Sequence, residues 1–256
     1  MEEDPSPDPS PAAAPAASPL ATPAKRLVSL SSDFSDTLDD AIAVVKPKLR
    51  GWLHAGTTPV ALAAGIVLIA LAPTARSRVA AAVFALSAFL LFGTSAVYHR
   101  GTWSPRVRML LKRMDHSNIF LIIAGSYTPF AVLLLPHDRA RTLLLIVWGG
   151  AIAGVLFRVF WVTAPRWLYT PVYVALGWVA VIYLPDFLSR GGVAVLVLIV
   201  VGGALYSLGA LVYGLKRPDP SPRWFGFHEV FHTCTVLAFV VHYIAVSMAV
   251  YSAPVV

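Results

Sequence analysis

The feature that most limits what this chain can become is a succession of apolar runs, almost free of charge, between residues 52 and 250. Several are close to the ~20 residues that a helix needs to cross the hydrocarbon core of a bilayer. Only 13% of the residues are charged, against roughly 25% in an ordinary soluble domain. The runs fall near 52–72, 79–98, 114–135, 142–162, 167–187, 192–214 and 226–250, with short connections between them. They predict an all-α integral membrane protein, a bundle of seven transmembrane helices whose core is the packing between its own segments. No internal repeat is visible.

The net charge of +7 raises the question of nucleic acid, and its distribution answers it. The cations lie between the apolar runs, where they set topology, and no basic patch with interleaved aromatics stands apart from them. Fifteen of the 20 Lys and Arg residues fall on the amino-terminal side and in the even-numbered connections. The positive-inside rule therefore places the amino terminus in the cytosol, and seven crossings place the carboxyl terminus outside. The expected location is the cell membrane, with membrane lipids as partners and no nucleic acid.

Residues 1–24 are rich in Pro, Ala and Ser and begin with acids. They lack the apolar core of a secretory signal and read as a disordered cytosolic tail. Over 25–50, Phe34, Leu38, Ile42 and Val45 recur at helical spacing beside Asp33, Asp36, Asp39 and Asp40. This predicts an amphipathic juxtamembrane segment, after which residues 51–256 form the membrane domain. The single cysteine, Cys234, allows no internal disulfide and no cysteine-based metal cluster.

Polar residues inside such runs are expensive and usually functional. His228 and His232 open the last run, four residues apart, which puts them on one helix face about one turn from each other. That spacing suits two ligands of one metal, or two interfacial histidines bonded to neighbouring helices. His99 ends the second run, with Ser95 one turn before it; Asp115 and His116 open the third. The predicted topology brings all of these to one depth, near the cytosolic face. Histidines, an acid and room for water are the composition of a catalytic zinc site.

These residues lie in four ordered motifs: Ser95-Ala96-Val97-Tyr98-His99-Arg100, Arg113-Met114-Asp115-His116-Ser117-Asn118-Ile119-Phe120, Ala124-Gly125-Ser126-Tyr127-Thr128-Pro129-Phe130 and Phe225-Gly226-Phe227-His228-Glu229-Val230-Phe231-His232. Together they closely resemble the bacterial hemolysin III family, part of the progestin and adipoQ receptor superfamily that includes the adiponectin receptors. The resemblance spans about residues 46–250. It implies a seven-helix fold with Zn2+ near the cytosolic face, held by the histidines that fall on His99, His228 and His232. It implies that the aspartate falling on Asp115 holds the water at the metal and that the serine falling on Ser95 supports the site. All five positions are filled. By analogy with the related alkaline ceramidases, the implied chemistry is hydrolysis of a membrane lipid amide or ester, in membrane homeostasis. Asp115 would take and return the proton and Ser95 would position a ligand or Asp115. Lipid would enter sideways from the inner leaflet.

Other readings stay open. His228-Glu229-Val230-Phe231-His232 also fits H-E-x-x-H, in which Glu229 is the base of an intramembrane metalloprotease. A receptor or sensor with structural zinc, and a pore-forming cytolysin, complete the set. His242 is fourteen residues beyond His228, roughly 21 Å along a helix, and is expected to bond within the bundle. His54 reads as an interfacial residue or a partner of the site, His116 as pointing away from it, and His137 as solvated. Pro129 is expected to kink the third run, and Trp52, Trp161, Trp167 and Trp224 to anchor span ends.

Overall fold

The structure is a computed structural model and describes residues 47–254. The tail expected over 1–24 and most of the amphipathic segment expected over 25–50 lie outside the described residues. The described chain is helical: α1 (Trp52–Ala70), α2 (Ala75–Arg100), α3 (Pro105–Leu134), α4 (His137–Phe160), α5 (Arg166–Gly177), a 3₁₀ turn (Trp178–Tyr183), α6 (Leu184–Leu215) and α7 (Phe227–Tyr251). Among the described residues six helical stretches are long and apolar enough to cross a membrane; one of them is the continuous stretch Arg166–Leu215.

Local chemistry sets the boundaries. Pro73 follows α1, and Thr74 then caps α2: its hydroxyl accepts from the Ser77 amide at 3.0 Å, while its own amide donates to the Ser77 hydroxyl at 3.1 Å. This reciprocal pair satisfies two of the orphan donors at a helix start. Pro105 opens α3 at the position where a missing N–H costs nothing. Pro129 lies inside α3, and the helix continues through it to Leu134.

The stretch from 166 to 215 is not one rod. Tyr169 and Tyr213 meet hydroxyl to hydroxyl at 3.0 Å, and the Trp178 indole donates to Ser207 at 2.8 Å. In an unbroken helix, residues 44 apart would lie roughly 66 Å from each other. The reversal is at Gly192, whose φ of 76° and ψ of 175° fall where side chains are excluded. It closes the interval that separates the fifth and sixth apolar runs. Tyr127 of α3 braces the irregular 3₁₀ turn, donating to the Gly177 carbonyl and accepting from the Ala180 amide.

Helices in lipid have no water to expel from between them, so close packing of small residues holds them together. Ala80, Ala81 and Ala88 of α2 are buried, as are Ala124 and Ala131 of α3. Larger rings fill the remaining space, with Phe239 of α7 stacked near Phe84 and edge-on to Phe92 of α2. The outer surface is apolar: Phe160 is 83% exposed and Val60 66%, which suits a hydrocarbon solvent and no other. Trp52, Trp161, Trp167 and Trp224 are exposed near helix ends, as interface anchors are. α7 packs against α1, α2, α3 and α6, so the last helix runs through the middle of the bundle.

Candidate metal centre

The entry to α7 is fixed from several sides. Glu229 is 1% exposed. One of its carboxylate oxygens accepts from the Gly226 amide at 2.9 Å and the other is paired with Arg50. Asp219 accepts from the Phe227 amide at 2.8 Å. The segment before α1 is laced to the same turn, through Lys48 to the Arg223 carbonyl at 3.0 Å and Leu49 to the Trp224 carbonyl at 3.2 Å. These contacts set the start and rotation of α7, and hence where its first two turns aim.

They aim His228 and His232 at His99, the penultimate residue of α2. One ring nitrogen from each of the three lies within 4.8 Å of the others. The Nε2 atoms of His99 and His228 are 3.2 Å apart. Two nitrogens bound tetrahedrally to zinc at ~2.0–2.1 Å are separated by about 3.3 Å, so the spacing fits. His232 also carries a buried Nδ1 with no hydrogen-bond partner. Three converging imidazoles, one with an orphaned nitrogen, are a donor set that could hold a metal ion, and the residues present fit the group that the sequence motifs imply.

Asp115, in the first half of α3, places Oδ2 3.9 Å from Nε2 of His99. The buried Ser95 hydroxyl stands beside its carboxylate. Ser95 reaches Asp115 because it lies one turn before His99 on the inward face of α2. His116, expected to point away, turns its Nδ1 to the Lys112 carbonyl at 2.7 Å; that same nitrogen is 3.9 Å from Asp115. His137 is exposed, beside Asp138.

A cavity of about 160 Å³, walled mostly by apolar side chains, is lined at one end by Asp115, His228 and His232. Glu229 does not line it; both its oxygens are engaged at the helix start.

His54 is not at the interface but against the metal centre. Its ring is 2% exposed, stacks on His232 with centroids 3.8 Å apart, and has no partner on either nitrogen. A histidine in the first turn of an apolar run is the available signal, but only packing of α1 on α7 tells a stacked ring from an interfacial one. Tyr213 was also passed over: it is 5.9 Å from His228 by ring centroid and sits on the limb of α6 beyond the reversal.

A family model described as haemolysin-III related matches residues 42–243. Hemolysin-3 of Bacillus cereus is 38% identical over 143 residues, which is 55% of this chain and 64% of that protein. The Hemolysin-3 homolog of Bacillus subtilis (strain 168) is 37% identical over 147 residues, 57% of this chain and 68% of the relative. The adiponectin receptor protein of Drosophila melanogaster is 28% identical over 199 residues, 69% of this chain and 44% of the receptor. The chain thus spans roughly two thirds of the bacterial relatives and less than half of the receptor.

Proposed function

This chain belongs to the haemolysin-III-related family and is a multi-pass cell-membrane protein; from that premise we propose that it is a zinc-dependent hydrolase of membrane lipid amides or esters. The observation that carries the reading is the position of the three-histidine cluster at the end of an apolar cavity, with the Ser95–Asp115 pair beside it. When bound, zinc supplies a Lewis acid for the scissile carbonyl and lowers the pKa of a water toward ~7. The chain's own residues do the rest. His99, His228 and His232 would hold the ion. Asp115 takes a proton from the attacking water and returns it to the leaving amine or alcohol. Ser95 orients the Asp115 carboxylate and acts through it. The apolar walls bind the acyl chain and keep bulk water from the reacting carbonyl.

Glu229 is the competing base. Its engagement with Arg50 and Gly226 supports Asp115 in that role, and supports reading H-E-x-x-H here as a helix start followed by two ligands. In this reading the stretch 166–215 makes two crossings about Gly192, for seven in all, and the metal centre lies toward the cytosolic side. Reporter fusions at the two termini test that arrangement; opposite locations are expected.

The test of the function is to purify the protein, measure its zinc and incubate it with a lipid extract beside an Asp115→Asn variant. Expected are one zinc per chain in both proteins and release of fatty acid only by the native one. Turnover that survives in Asp115→Asn would remove the assigned base, and zinc without any turnover would favour a structural metal in a receptor.

A further inference from the structure

The cavity does not end in hydrocarbon. At its far part, away from the metal centre, three of its lining residues carry polar atoms without hydrogen-bond partners: Nδ1 of His242, the hydroxyl of Tyr206 and the hydroxyl of Ser126. All three are buried atoms. They come from three different helices, α7, α6 and α3. His242 is ten residues beyond His232, and Ser126 eleven beyond Asp115. Both therefore lie roughly 15 Å further along their helices than the metal-site residues. That is about half of the ~30 Å hydrocarbon thickness, where an unpaired polar group is most costly.

The place is built. His242 is packed against Gly202 of α6, where an added Cβ would come within 2.1 Å of the ring. Its Nε2 lies 3.2 Å from the Ile199 carbonyl. A carbonyl can only accept, so Nε2 carries the proton, and in the neutral ring Nδ1 is left as a bare acceptor. The Tyr206 ring is 5.5 Å from the His242 ring, and Phe130, one turn beyond Ser126, is 6.2 Å from it. An occupant of this spot must give a hydrogen bond to Nδ1 and can take one from a hydroxyl. A ketone, ether or ester oxygen cannot give; an alcohol does both.

We propose that His242 and Tyr206, with Ser126 beside them, form a second recognition point for a hydroxyl group carried mid-chain on the acyl tail of the bound lipid. The proposal deepens the lipid-hydrolase reading and rests on its lipid-filled cavity. It assigns the substrate class: acyl lipids hydroxylated about 15 Å from the carbonyl that reaches the metal centre. The apolar walls between the two ends take the intervening methylenes. A buried polar site that matches a hydroxyl discriminates against the chain that lacks it, because its own groups are then left unpaired.

The test is equilibrium binding to the full chain in lipid nanodiscs, in metal-loaded and metal-free forms, so that no turnover is needed. The probes are stearate, stearate hydroxylated at a mid-chain carbon, and stearate hydroxylated beside its carboxyl group. The mid-chain alcohol is expected to bind about tenfold more tightly than the other two. His242→Phe and Tyr206→Phe are each expected to erase that preference, bringing the three affinities level within each variant. Equal affinities of the native protein for all three acids would overturn the proposal and leave the polar atoms to buried water; this comparison needs no variant to fold. A preference that persists in both variants would overturn it too. Lipid hydrolysis without a mid-chain preference sinks only this proposal, whereas the preference without hydrolysis supports it and sinks the hydrolase.

Discussion

The imidazole of His54 lies flat on that of His232, with ring centroids 3.8 Å apart and planes 10° from parallel. Phe92 meets His54 edge-on at 5.0 Å. The first helix therefore holds in place a ring of the candidate metal centre without entering the cluster itself. His54→Phe should keep the stack and leave zinc binding close to native. His54→Ala should free the His232 ring and weaken zinc binding about tenfold, by analogy with the loss of other supporting contacts around metal ligands. Competition with a calibrated chelator measures both; equal affinities in the two variants would deny the stack any role.

Metal occupancy should depend on all three imidazoles. His232→Ala is expected to lose the metal that the native protein carries, as read by elemental analysis. Protons compete with a metal for imidazole nitrogen, so the native protein should release zinc as pH is lowered and rebind it as pH rises. Occupancy equal to native in His232→Ala would point to ligands other than these histidines.

The Arg50–Glu229 pair should matter for stability and not for chemistry. Glu229 is buried to 1% exposure, and Arg50→Ala strands its carboxylate. Loss of one partner of a buried pair costs about 3–5 kcal/mol, here toward the lower end because the Arg50 side chain is 20% exposed. Glu229→Gln removes the charge but keeps an acceptor for the Gly226 amide, so its effect should be smaller. Thermal unfolding in detergent reads the difference. Zinc content should be native in Glu229→Gln, and a folded, zinc-loaded Glu229→Gln without lipid turnover would return the base to Glu229.

Gly192 isolates the backbone contribution to the hairpin. A Cβ there meets nothing within 4 Å, so any penalty in Gly192→Ala is conformational. With φ at 76° and ψ at 175° the expected cost is about 1–3 kcal/mol. Gly203→Ala, on the same helix and equally open, is the control and should be nearly neutral. Equal stability of the two variants in a denaturation series would show that the reversal does not depend on glycine.

The sequence alone determined the solvent this protein lives in. Apolar runs of membrane length leave helices as the form in which each backbone satisfies itself, and that inference needs no partner. The spacing of His228 and His232 likewise follows from helix geometry within one segment. The structure brings His99, His228 and His232 together and sets Asp115 3.9 Å from His99, a proximity between helices that no single run contains. Tertiary structure decided what depends on rotation and contact between helices. It turned Glu229 toward Arg50, laid His54 on His232, and brought Tyr206, Ser126 and His242 to one wall. None of these is legible in a single run, since a helix seen alone presents every side chain somewhere; which of them is buried, and against what, is set by its neighbours.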